Sequence, residues 1–111
     1  MARTTMTPAL FESVAVRFKA LGEPARLQIL HALRDGELTV GELVERTGLG
    51  QANVSKHLQM LHAASFVARR KDGVRVFYGL ADADVLRLCD LMCGRLDAEA
   101  SAAQRRFAAA R

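Results

Sequence analysis

A mainly helical fold with one small β-hairpin is what this sequence predicts, and three observations predict it. Apolar residues recur at three- and four-residue spacings in four segments between residues 7 and 61, the periodicity of amphipathic helices. Two β-prone runs, residues 66–71 and 74–80, flank Asp72-Gly73, which is the signal of a hairpin. A fifth helical pattern opens after them and runs into an Ala-rich end.

The elements follow in order. Thr7-Pro8 supplies an N-cap and a proline at the first helical position, and Leu10, Phe11, Val14, Phe18 and Leu21 line one side of a helix that stops near Gly22. Pro24 opens a second helix with Leu27, Ile29, Leu30 and Leu33 apolar, and Asp35-Gly36 stops it. Thr39 followed by Glu42 forms a capping box for a third, in which Leu43 and Val44 give a buried side. Gly48 and Gly50 flank Leu49 in a turn, and the fourth helix buries Val54, Leu58 and Leu61. Two short helices joined by a glycine-containing turn make a helix-turn-helix, and the hairpin after them makes it a winged one. Asp82 caps the last helix, whose wide apolar stripe holds Val85, Leu86, Leu88, Cys89, Met92, Cys93 and Leu96.

With 111 residues the chain is expected to form a single domain over 1–111, with its core at about 8–97 and frayed ends. Its net charge of +4 is localised. Residues 51–80 hold Lys56, Arg69, Arg70, Lys71 and Arg75 against Asp72 alone, and the rest of the chain is balanced. That is the footprint of a surface that meets phosphates. No signal peptide is recognisable at the N-terminus, and no stretch approaches the roughly 20 apolar residues that cross a bilayer. A cytoplasmic protein without membrane contact is therefore expected, its two cysteines as thiols.

The outer face of the fourth helix carries the function. Gln51, Asn53, Ser55, Lys56 and Gln59 are left outside, and no acidic residue lies between Gln51 and Leu61. A solvated face would mix Glu with Lys, whereas Asn, Gln, Ser and Lys read base edges or hold phosphates. Gln51, Asn53, Ser55 and Lys56 are the candidates for the major groove of duplex DNA, and Lys71 and Arg75 for the wing. Thr39, at a helix start whose N–H groups can face a phosphate, and His57 are secondary candidates for the backbone. No acid/base pair, nucleophile motif or phosphate-cradling glycine loop is present, so an enzyme is not expected. His31, His57 and His62 stand singly, without a partner at ligand spacing.

Cys89 and Cys93 lie one helical turn apart and could share a soft, thiophilic metal or metalloid ion. The competing reading is that they fill an apolar, dimer-facing stripe, because free cysteine is among the most buried residue types. Two thiolates alone are an incomplete metal site, so a third ligand would have to come from elsewhere.

Residues 18–30, FKALGEPARLQIL, resemble the entry motif of the ArsR family of small bacterial repressors. Val54-Ser55-Lys56-His57-Leu58 with Leu61 and Ala64 is similar to that family's recognition helix, and residues 71–80 to its wing. The resemblance covers about residues 10–96. It implies a homodimer that binds a palindromic operator, represses transcription and is loosened by an inducer. A lone winged helix of 111 residues has too little buried surface to hide Leu10, Val14 and Phe18 along with Leu86, Leu88, Met92 and Leu96, so the first and last helices are expected to build the dimer.

Departures from the family pattern bear on the inducer. Leu38-Thr39-Val40-Gly41 stands where metalloid sensors carry Cys-Val-Cys, residues 82–95 hold no histidine for the zinc-type site, and the second helix lacks the cysteine of persulfide sensors. Glu23 replaces a better-capping Asp, and Ser65 replaces the Gly that commonly ends the recognition helix. If the chain answers a chemical signal through its own side chains, Cys89 and Cys93 are expected to carry the response, to a soft ion or a thiol-reactive agent. The rival reading is a winged helix that serves only as a protein-interaction module, and such a module would place acidic or large apolar residues on the face that here holds Gln, Asn, Ser and Lys.

Overall fold

Four helices lead into a hairpin and a long fifth helix in the computed structural model, which describes residues 5–109. The expected frayed ends at residues 1–4 and 110–111 lie outside the described residues. α1 (Pro8–Leu21) starts at Thr7, whose Oγ1 accepts the Leu10 N–H at 3.1 Å. α2 (Pro24–Ala32) follows, and Glu23 makes no side-chain capping bond there, so the departure from Asp leaves the start of α2 without a side-chain cap. A 3₁₀ turn (Leu33–Asp35) leads to β1 (Leu38–Thr39), α3 (Val40–Thr47) and α4 (Gln51–Ala63). β2 (Val67–Asp72), β3 (Arg75–Leu80) and α5 (Asp84–Ala109) complete the order.

Among the described residues the strands form one antiparallel sheet in the order β1-β3-β2. The sequence predicts two strands, and the structure adds a third. β1 spans two residues, Leu38 opposite Tyr78 and Thr39 opposite Phe77, too few for an alternating pattern to reveal. The hairpin turns through Gly73-Val74, and Gly73 adopts φ 60°, where a Cβ would be penalised. α5 starts at Asp84, and Asp82 Oδ1 accepts the Asp84 N–H at 2.8 Å just before it, the side-chain cap that the sequence predicts.

Ile29, Leu30 and Leu33 of the α2 segment, Leu38, Leu43, the α4 trio Val54, Leu58 and Leu61, Val67 and Val85 make up the core. Every inward position of α4 is therefore used, and the helix is held by packing rather than by its polar face. The two outer helices differ. α1 buries only Ala20 and α5 only Val85, so the predicted stripes Phe11, Val14 and Phe18 and Leu88, Met92 and Leu96 lie at the surface. The radius of gyration is 17.6 Å, against about 13 Å for a closed domain of this length. Arg34 Nη2 meets Asp90 Oδ1 at 2.8 Å and ties α5 to the end of the α2 segment. Among the described residues no helix is long and apolar enough to cross a membrane.

Candidate nucleic-acid interface

Thr39 organises the start of the helix-turn-helix. Its Oγ1 accepts the Glu42 N–H at 3.2 Å, and Glu42 Oε1 accepts the Thr39 N–H at 3.0 Å, the complete capping box that the sequence predicts. Hydrogen bonds from the Thr39 backbone N–H and hydroxyl, aided by the charges of Arg75 and Arg46, hold the Glu42 carboxyl below its ordinary range. Thr39 is itself half-buried.

The turn between α3 and α4 is closed from inside. Gly48 adopts φ 73° and donates its N–H to the Val44 carbonyl at 2.9 Å, an αL cap that glycine makes at no steric cost. Thr47 Oγ1 donates to the Leu43 carbonyl at 2.6 Å and accepts the Leu49 N–H at 3.3 Å. α4 then starts at Gln51, with Gly50 before it in extended conformation.

On α4, Gln51, Asn53, Lys56 and Gln59 are exposed, whereas Ser55 and His57 are half-buried. At about 100° per residue Ser55 and His57 fall on the two margins of the buried stripe, and Lys56 stands opposite it. One side chain on that margin is engaged from behind: His57 Nδ1 accepts a hydrogen bond from Arg26 Nε at 3.1 Å. Arg26 is 9% exposed, a functional position that residue spacing does not mark. Its only sequence signal is a charge placed between the apolar positions of α2.

The wing orders its basic residues by register. Arg69 lies opposite Tyr78 and Lys71 opposite Val76, so these four share one face, while Arg70 opposite Phe77 and Arg75 beside Asp72 share the other. Lys71 and Arg75 therefore occupy opposite faces of the ribbon near its tip. Arg70 is tied down: its guanidinium meets both Glu37 carboxylate oxygens at 3.1–3.2 Å and lies 4.7 Å above the Phe77 ring. Arg75 also covers that ring, at 5.2 Å. The wing thus exposes Arg69 and Lys71 on one face and Arg75 on the other.

Cys89 and Cys93 sit away from this face. They line an apolar groove of about 560 Å³ bounded by α1, α2 and α5, with Phe18, Leu27, Leu86 and Met92 among its walls. Cys89 is half-buried and Cys93 exposed. Burial, with smaller contributions from the charges of Cys93 and Asp90, pushes the Cys89 thiol up, against the thiolate form. Among the described residues no group of three or more His, Cys, Asp or Glu side chains could hold a metal ion, so the pair would need a ligand from outside the described chain.

Comparison with known proteins agrees with this arrangement. Residues 23–69 match the model of the bacterial regulatory protein family arsR. The transcriptional activator HlyU of Vibrio cholerae is 42% identical over 77 residues, covering 69% of this chain and 71% of that protein. A probable mercury resistance operon repressor of Streptomyces lividans is 38% identical, over 69% of this chain and 62% of its own length. In structure, the homodimeric winged helix-turn-helix DNA-binding domain Mb0332 of Mycobacterium bovis superposes with a TM-score of 0.74 at 35% identity, over 87% of this chain and 90% of that one.

Proposed function

The chain belongs to the arsR family of bacterial transcriptional regulators, which are not enzymes, and from that premise we propose that it is a homodimeric repressor that closes a palindromic operator. The observation that supports this most is the composition of the α4 surface. Gln51, Asn53 and Lys56 stand exposed with no acid anywhere on the helix, beside a wing that exposes Arg69, Lys71 and Arg75. Gln51, Asn53 and Ser55 contact base edges in the major groove, Lys56 a phosphate, and Lys71 and Arg75 the backbone from the two faces of the wing. Thr39 and His57 contact phosphates at the margins.

Dimerisation is supported by the unpartnered apolar stripes of α1 and α5 and by the extended shape of the single chain. A C2 pair joined along these helices would set two copies of α4 in successive major grooves, about one helical turn apart. The effector is a soft ion or thiol-reactive compound at Cys89 and Cys93, whose groove lies on the same helices and would be completed by the second copy. The protein acts in the cytoplasm.

Titration of the full chain against a labelled duplex from the region upstream of its own gene tests the reading. Binding should weaken steeply with salt and exceed that to a scrambled duplex by about a thousandfold, and transcription from that region should fall when protein is added. Equal affinity for both duplexes would leave the protein-interaction reading in its place.

A further inference from the structure

Arg26 is the buried charged residue of the described chain, and none of the contacts proposed above uses it. Among the described residues no carboxylate forms an ion pair with it. Its Nη1 donates to the Ala20 carbonyl at 3.3 Å, in the last turn of α1, where helix carbonyls lack partners and the dipole favours a cation. Its Nε donates to His57 Nδ1 at 3.1 Å. A guanidinium can only donate, so Nδ1 must accept and the ring's N–H is then on Nε2. Among the described residues no buried side-chain nitrogen or oxygen lacks a partner, and none of those residues partners Nε2. Nε2 therefore reaches the surface, next to Lys56 on α4.

We propose that Arg26 is a positioning residue that, by occupying His57 Nδ1, fixes the ring's tautomer and orientation so that Nε2–H is presented to a DNA phosphate oxygen. The proposal rests on α4 being the DNA-contacting helix. An uncharged donor holds a phosphate without releasing a counterion, so His57 adds affinity that does not vary with salt, unlike Lys56. Because Ala20 belongs to α1, the same guanidinium ties the His57 ring to the end of a helix proposed to form the dimer face. A shift of α1 relative to α4 would thus be felt at a DNA contact without any movement of the α4 backbone.

Two measurements on the full chain test this. Long-range ¹H–¹⁵N spectra of the wild-type imidazoles should show His57 as a single Nε2–H tautomer. In duplex titrations, His57→Gln, whose amide nitrogen falls near Nε2, should bind within about threefold of wild type. His57→Asn, whose amide ends near Nδ1, and His57→Leu should lose about tenfold, the loss expected for a hydrogen bond to a charged group. That loss should be the same at every salt concentration, whereas Lys56→Ala should flatten the salt dependence. An Nδ1–H or averaged tautomer in the wild type, a readout that needs no variant to fold, would overturn the proposal. So would His57→Leu binding like wild type while Lys56→Ala is impaired. A wild type that shows the Nε2–H tautomer and yet binds no duplex would overturn the α4 reading, and the phosphate contact with it.

Discussion

The Phe66 N–H donates to the Leu61 carbonyl at 2.9 Å across Ser65, which is held at φ 66°. With the Ser65 N–H donating to the His62 carbonyl at 3.0 Å, this is a Schellman closure of α4, which sets Phe66 at the start of the wing. Ser65 is the non-glycine residue of the described chain with positive φ, at the position where the family resemblance leads one to expect glycine. The left-handed conformation costs an L-residue about 1–2 kcal/mol, of which glycine's greater freedom when unfolded offsets part. Ser65→Gly should therefore raise stability by about 0.5–1 kcal/mol in denaturant melts; no gain would mean that the serine conformation is relieved locally.

Thr39→Ala removes an acceptor from the capping box and should destabilise by about 1 kcal/mol. The pH dependence separates the two halves of the box. Glu42 has a folded pKa below its ordinary value near 4.5, so its contribution is complete above that value and is lost as pH falls through the lowered folded one. Glu42→Gln keeps an acceptor without the titration, and its melts should lose less stability than those of wild type on acidification below about pH 4.5.

Base-edge and backbone contacts should fail differently. Gln51→Ala is expected to narrow the gap between operator and scrambled duplex by about 1–3 kcal/mol. Lys71→Ala should weaken both duplexes alike and lower the salt slope by about one. Parallel losses on both duplexes in the two variants would contradict the assignment.

Leu96, 58% exposed on α5, is placed to be covered by a second copy. Sedimentation of wild type at micromolar concentration should give a dimer, and Leu96→Glu a folded monomer with weakened operator binding, since a charge in an apolar contact lacks a partner. A wild-type monomer would refute the dimer.

The cysteines give a graded chemical test. In the Leu96→Glu monomer, exposed Cys93 should alkylate before Cys89, whose thiol is half-buried and shifted up, and raising the pH should speed the Cys89 reaction. With operator bound, Cd(II) or an oxidant should release wild type but not Cys89→Ser/Cys93→Ser. Release of the double variant by the same agent would make the pair packing residues.

Much of this was legible in the sequence because the informative residues act locally. The Thr39–Glu42 box, the Val54, Leu58 and Leu61 stripe and the Gly73 turn each depend on residues a few positions apart, and spacing alone reveals them. What stayed hidden depends on distance along the chain. Arg26 meets His57 from 31 residues away, and β1 acquires strand character only by pairing with β3. Periodicity likewise marks the α1 and α5 stripes as apolar without saying that the described residues leave Phe11, Phe18, Met92 and Leu96 exposed.

Thr39 ends a strand and caps a helix at once, paired with Phe77 on one side and bonded to Glu42 on the other. No spacer separates the ribbon from α3. A single residue inserted between Leu38 and Val40 would slip the strand by one, turn its side chains to the opposite face and pull the hydroxyl off the helix start. This junction should therefore tolerate neither insertions nor deletions.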